Sequence, residues 1–207
     1  AASATGDVSV LGGVLRLAPT LVPLVNPGFE TPAYGAGGWA YLNSDGVAGG
    51  WTITGGGGVA RNGAPWVLAA PQGAQAGFLQ NSASCLQTVA IPSAGAYRLS
   101  FSAAGRPGTG FGADNLAVLV DGATNRTWAA SSDIRDDGVF KRFSTDLGAL
   151  AAGPHTLTFS GWSPGGDKAV AIDDVKIART DGTVDTNALP ATARVTVADG
   201  ATLDLGG

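Results

Sequence analysis

Short stretches of alternating apolar and polar residues run through most of the chain, and no stretch keeps a helical period. In "HTLTFSGW", Leu157, Phe159 and Gly161 fall on one side and Thr158, Ser160 and Trp162 on the other, the two-residue repeat of a half-buried strand. The pattern predicts strands over 39–43, 50–54, 77–80, 86–91, 96–103, 116–120, 126–129, 140–146, 155–161 and 169–177. Between them stand groups with turn chemistry: Pro92-Ser93-Ala94-Gly95, Asp121-Gly122, Asp136-Asp137-Gly138, Gly153-Pro154 and Ser163-Pro164-Gly165-Gly166. Gly and Asp supply the unusual backbone angles of tight turns, and Pro ends a ladder. Gly55 to Gly58 is expected to be a flexible turn. Strands at this spacing without intervening helices predict an all-β, antiparallel sandwich.

The two ends of the chain share a second pattern. "GDVSVLGGVLRLAP" alternates Val8, Val10, Leu15 and Leu17 around Gly12-Gly13, and "ARVTVADGATLDLGG" alternates Val195, Val197, Leu203 and Leu205 around Asp199-Gly200. Each reads as strand, glycine turn, strand. The organisation expected is a flank over 1–20, a folded body over 21–178, and a linker with a second flank over 179–207. The flanks resemble the β-strand repeats of autotransporter-type passenger domains, and that resemblance implies a body inserted between two rungs of a β-helix. Two ordinary hairpins that pair with the body remain the alternative.

Composition narrows the function classes. There are 33 glycines among 207 residues, more than twice the usual share of about 7%. Charged residues are only 14% and the net charge is −4, and the lysines and arginines never cluster. A phosphate-tracking surface therefore has no source, and nucleic acid is not an expected partner. No apolar run approaches the ~20 residues that span a bilayer. The single Cys85 cannot form an internal disulfide and alternates with Leu86, so it is expected to be a buried thiol. The absence of an initiator Met suggests a segment of a longer protein.

Beyond periodicity, the body carries motifs. "LVNPGFETP", "GWTITGGGGV", "GPHTLTFSG" and the closing "AVAIDDVKIA" follow one another in order. In this arrangement the body resembles carbohydrate-binding modules with the galactose-binding-like jelly roll. The resemblance implies two antiparallel sheets, an extracellular or cell-surface setting, a structural calcium ion and a polysaccharide or other glycan as partner.

The carboxylates carry a constraint of their own. Strict alternation in "VAIDDVKI" places Asp173 with Val175 and Ile177 and puts Asp174 with Ile172, so one aspartate must lie in an apolar row and needs a counter-charge. The family resemblance points to Glu30 and Asp173 as ligands of one Ca²⁺, an oxygen-only site of the kind that ion takes; an arginine-paired or solvated Asp is the alternative. As a glycosidase pair the two would need an open cleft, and both stand in motifs that look structural. The acidic run Ser131 to Gly138 is expected to be a solvated turn.

Five tryptophans stand in a chain with 7% aromatics. Sugars stack their C–H faces on such rings, and polar side chains take the hydroxyls. Trp51 is expected in the core and Trp162 at the surface, Trp66 lies between the two, and Trp39, Tyr41 and Trp128 are undecided between core and rim. The Gly-rich connection Ala103 to Asn115 exceeds hairpin length and carries Arg106, Phe111 and Asp114; Arg106 pairs either with Asp114 or with a ligand. The sole His155 cannot assemble a triad. The reading is a non-catalytic, monomeric polysaccharide-binding module of a secreted or surface bacterial protein, with Trp162, Trp66, Arg106, Phe111 and Asp114 at the sugar and Glu30 and Asp173 at calcium. The alternative is a structural or adhesive domain without a sugar site.

Overall fold

The computed structural model describes residues 8–10, 14–16, 20–42, 46–67, 69–108, 112–163, 167–181, 195–197 and 202–204, with no helix among them; none therefore is long and apolar enough to cross a membrane. Fifteen strands follow in order: β1 (Val8–Val10), β2 (Val14–Arg16), β3 (Leu21–Val22), β4 (Trp39–Tyr41), β5 (Gly46–Ala48), β6 (Trp51–Arg61), β7 (Gln75–Ile91), β8 (Gly95–Gly105), β9 (Asn115–Val120), β10 (Ala123–Trp128), β11 (Lys141–Leu150), β12 (Gly153–Trp162), β13 (Ala169–Arg179), β14 (Val195–Val197) and β15 (Thr202–Asp204). Strand occupies each of the ten expected stretches, Asn43 lying outside the described residues, but 77–80 and 86–91 are one strand: the polar "QNSAS" between them lies inside β7.

That strand explains the architecture. The first half of β7 pairs with β13 at Gln80↔Ala169 to Gly77↔Ile172, and its second half pairs with β12 at Ser84↔Ser160 to Ile91↔Gly153. Asn81 sits between the halves with φ 51°. β6 follows the same bend, with a register shift between Thr54 and Gly56 and Gly55 at φ 67°. One layer is therefore β5, β6, β7, β12, β9 and β10, and the other is β4, β6, β7, β13, β8 and β11. Body strands pair antiparallel throughout, giving a jelly-roll sandwich.

The glycine run is a correction to the expectation of a flexible turn: Gly55 to Gly58 all lie in β6. A Cβ on Gly57 would meet Ile53 Cγ2 at 2.5 Å, and one on Gly58 would meet Phe78 Cζ at 2.8 Å and the Ala40 carbonyl carbon at 2.9 Å. These glycines let a ring and an edge strand approach the sheet closely.

Between the layers lies the main core. Trp51 stacks on Phe29 with centroids 5.1 Å apart, and Phe101 meets Phe159 edge-on at 5.0 Å. Burial of the Trp51 indole is made tolerable by its N–H, which donates to the Asn26 carbonyl at 2.9 Å. Cys85 is buried, as its alternation predicts, and burial pushes its thiol up to about 12, which leaves it inert at neutral pH. Trp128 is also buried.

His155 stands on β12 and bonds Asp121 Oδ2 through Nδ1 at 2.7 Å. That hydrogen bond raises the imidazole above 6.5 against the opposing effect of burial. A raised folded value means this pair's stabilisation is complete below pH 6.5 and is lost as the pH climbs through the folded value. An NMR titration of the His155 ring should show the elevated midpoint, and Asp121→Asn should return it toward 6.5.

Candidate functional site

Residues alternating along β13 and β7 divide between two apolar clusters. Val170, Ile172 and Leu79 belong to the main core, whereas Ala169, Ala171 and Phe78 join Ala60, Ala64, Trp66, Val67 and Ala76 in a second cluster. Alternate residues point to opposite faces, so this second cluster covers the outer face of the β4–β6–β7–β13–β8 layer. Its floor is alanine and glycine, and Trp66, from the segment after β6, lies on it.

Trp66 is only 4% exposed. It stacks on Phe78 with centroids 4.6 Å apart and 12° between the planes. Trp39 meets it edge-on at 4.4 Å, and Tyr41 stands 6.0 Å from it and 5.3 Å from Trp39. The two β4 rings are the exposed part of the group, Trp39 at 41% and Tyr41 at 38%. Being two residues apart in a strand they share a face, and the buried Trp66 and Phe78 hold them in place.

Polar groups border this platform. The Tyr41 hydroxyl donates to Gln80 Oε1, and Gln80 Nε2 donates to Asp167 Oδ1. The Arg106 Nη1 stands 2.8 Å from the same Asp167 oxygen, and its guanidinium lies 4.9 Å from the Trp66 ring centroid. Arg106 is buried, which suits it to orienting Asp167 and covering Trp66. Its carboxylate partner is thus Asp167, not Asp114.

Asp114, just before β9, is fully buried. Among the described residues neither of its oxygens has a hydrogen-bond partner of good geometry, and the same holds for Trp66 Nε1. Burial pushes the Asp114 carboxyl up to about 7, while the Asn81 backbone, Lys168 and Ser163 pull the other way. Trp162, at the end of β12, is 40% exposed, and its carbonyl accepts from Asn115 Nδ2 at 3.1 Å. It points away from the core on the other layer, so the structure does not set it beside Trp66. Phe111 lies outside the described residues.

The carboxylates form a separate site. The alternation expected across Asp173 and Asp174 is broken: Ile172, Val175 and Ile177 all face the main core, because β13 carries a register shift between Asp173 and Lys176. Asp174 takes φ 50° there, and an extra residue of this kind re-aims its neighbours. Asp174 is paired with Arg142 at 2.6 Å and Lys176 at 2.7 Å; burial raises its carboxyl, but these cations outweigh it and the net direction is down.

Asp173 is fully buried and receives the amides of Gln72 at 2.8 Å and Asp174 at 2.6 Å. Glu30 Oε1 receives the amides of Ala74 at 2.8 Å and Gln75 at 2.9 Å. One turn, with Gly73 at φ 67°, therefore tethers both carboxylates. Neither is in an ion pair among the described residues. Burial raises Asp173 to about 7, the Asp174 and Glu30 charges add to it, and the two amides oppose it. Gly28 makes room for the Gln72 side chain beside Asp173: a Cβ there would strike Gln72 Oε1 and stand 3.3 Å from Asp173 Oδ1. Two uncompensated carboxylates and an amide oxygen are an all-oxygen donor set suited to a hard cation, although no group of three or more His, Cys, Asp or Glu that could hold a metal occurs among the described residues.

Sequence reasoning had left Trp39 and Tyr41 undecided, and it missed Gln72, Gln80 and Asp167. The spacing of Trp39 and Tyr41 carried a signal, since both must lie on one side of a short strand. The other three come together only by strand pairing.

No family model matches the chain, and no curated protein matches it in sequence. In structure it is similar to TmCBM61 solved in complex with β-1,4-galactotriose, at a TM-score of 0.52 and 23% identity over 77% of this chain and 99% of that one. It is also similar to the K2 cleaved adhesin domain of Lys-gingipain, at a TM-score of 0.51 and 14% identity over 73% of this chain and 96% of that one. The body is thus an antiparallel jelly-roll sandwich, a fold common to a carbohydrate-binding module and an adhesin domain.

Proposed function

We propose that the protein is a non-catalytic carbohydrate-binding module of a secreted or surface protein, and that it holds polysaccharide by stacking on the Trp39–Tyr41 platform. The observation that carries this reading is a pair of exposed rings fixed from behind by Trp66 and Phe78. A sugar stacks on such rings without first having to order them, and that lowers the entropic cost of binding. The Tyr41–Gln80–Asp167–Arg106 chain lies where sugar hydroxyls would be selected. Trp66, Arg106 and Asp114, being buried, support the surface rather than touch the ligand, and the exposed Trp162 at the end of β12 lies apart from the platform. The fold likeness agrees with this reading without identifying the glycan.

A calcium ion would be held by Glu30 and Asp173, with the Gln72 side chain contributing an oxygen. It would neutralise the buried charge and fix the turn at Gly73. A structural or adhesive domain carried between repeats is a second reading, favoured by the parallel pairing of β1 with β14, which lays Val8 beside Val195, and of β2 with β15.

Affinity electrophoresis against plant, algal and microbial polysaccharides tests the site. Retardation by one polymer class should fall about tenfold or more in Trp39→Ala, about 1.4 kcal/mol, and stay unchanged in Trp162→Ala. The opposite result would move the site to β12, and no retardation by any polymer would leave the adhesive reading.

A further inference from the structure

Strand β4 carries both platform rings yet is only three residues long, and among the described residues it pairs with β6 alone, at Trp39↔Ala60, Ala40↔Val59 and Tyr41↔Gly58. An edge strand this short contributes little to fixing its own orientation. The backbone that leads into it, residues 29–38, belongs to no strand. The angle of the two rings therefore depends on what fixes that approach.

Gln75, the first residue of β7, fixes it. The residue is 1% exposed, and its side-chain amide is used in three directions. Oε1 accepts from the Tyr34 amide at 2.6 Å, and Nε2 donates to the Phe29 carbonyl at 3.0 Å and the Pro32 carbonyl at 2.9 Å. Its backbone amide meanwhile donates to Glu30 Oε1 at 2.9 Å. The two residues clasp each other: the Gln75 backbone holds the Glu30 side chain, and the Gln75 side chain holds the backbone on both sides of Glu30. Arg61, the partner of Gln75 across the β6–β7 ladder, donates from Nη1 to the Tyr34 carbonyl at 2.5 Å and through its amide to the Gly38 carbonyl at 2.9 Å. The approach is thus held at Phe29, Pro32, Tyr34 and Gly38, and the next residue is Trp39. Buried amide groups left without partners carry their full desolvation cost, so the clasp favours one course of the backbone over its neighbours.

We propose that Gln75 is the positioning residue of the platform: by fixing the approach to β4 it sets the angle of Trp39 and Tyr41, and through them the affinity for polysaccharide. Gln75 is buried and acts without touching the ligand. The statement about affinity rests on the sugar-binding reading, and the statement about ring geometry does not.

Gln87 is a matched control. It too is buried, and it clasps the backbone of Val25, accepting from the amide at 2.9 Å and donating to the carbonyl at 2.8 Å. It lies, however, in the half of β7 that pairs with β12.

The test compares Gln75→Leu with Gln87→Leu in the full chain. Trp39 and Trp66 stand 4.4 Å apart with 66° between their planes, close enough for an exciton couplet in circular dichroism, which Trp39→Ala identifies by removing it. Gln75→Leu should shrink the couplet. It should also speed exchange of the Tyr34, Gly37 and Leu42 amides, which donate to Gln75, Asn62 and Gly57, by about tenfold or more. Polysaccharide retardation should weaken by about tenfold. Gln87→Leu should leave all three unchanged. Arg61→Ala releases the Tyr34 carbonyl from a half-buried position and should move the same readouts in the same direction, which keeps the test decisive should Gln75→Leu fail to fold. Unchanged couplet and exchange in Gln75→Leu, or equal losses in Gln87→Leu, would overturn the proposal. A wild-type chain retarded by no polymer, with couplet and exchange moving as stated, would overturn the sugar-binding reading alone.

Discussion

Stripped of divalent cations, the protein should lose stability as the pH rises from about 4 to about 7, opposite to the behaviour of a protein held by paired carboxylates. Asp173 and Asp114 are both raised from 3.8 to about 7, chiefly by burial. In that window the folded state binds more protons than the unfolded state, so stability falls with rising pH. The loss should amount to roughly several kcal/mol, shared between the two carboxyls. Urea melts in EDTA at pH 5 and pH 8 measure it directly. Calcium, binding only the folded chain, should restore stability at pH 8 far more than at pH 5, since at pH 5 Asp173 is protonated and must give up its proton. Asp173→Asn should remove the calcium response and part of the slope, and Asp114→Asn should remove another part of the slope alone. Flat melts in EDTA would show that both carboxyls are neutralised within the fold. No response to millimolar calcium at pH 8 would take the ion out of the account.

Gly58→Ala should cost about 1–3 kcal/mol of stability, as overpacking does, and abolish polysaccharide retardation together with it. The added methyl has nowhere to go. On one side is Phe78, fully buried beneath Trp66; on the other is the Ala40 backbone, paired across the ladder with Val59. Strand β4 is the cheaper of the two to displace, being three residues long and at an edge, and it carries both platform rings. Gly35→Ala, where a Cβ meets nothing within 4 Å, is the control and should change neither property. If Gly58→Ala were destabilised yet bound polysaccharide normally, the ligand would not rest on Trp39 and Tyr41.

The carboxylate site shows where one-dimensional reasoning stops. Alternation required one of Asp173 and Asp174 to face an apolar row, and the buried one is indeed Asp173. Its surroundings were not legible, because the bulge puts Ile172 and Val175 on the same side, and a single inserted residue changes the phase of everything after it. Trp162 was read correctly from parity within one uninterrupted strand. Trp66 could not be, as it lies in no strand and its burial depends on which sheet face its segment folds over.

Strands, turns, the sandwich class and the likeness of the two ends are all legible along the chain, because they follow from a two-residue period and from turn chemistry acting over a few neighbours. Which strands become neighbours is settled by packing across the whole fold. That choice joins Tyr41, Gln80, Asp167 and Arg106 from four separate parts of the chain, makes strand rather than turn of Gly55 to Gly58, and lays Val8 beside Val195. Each of these depends on contacts between residues far apart in sequence, and no local propensity encodes them.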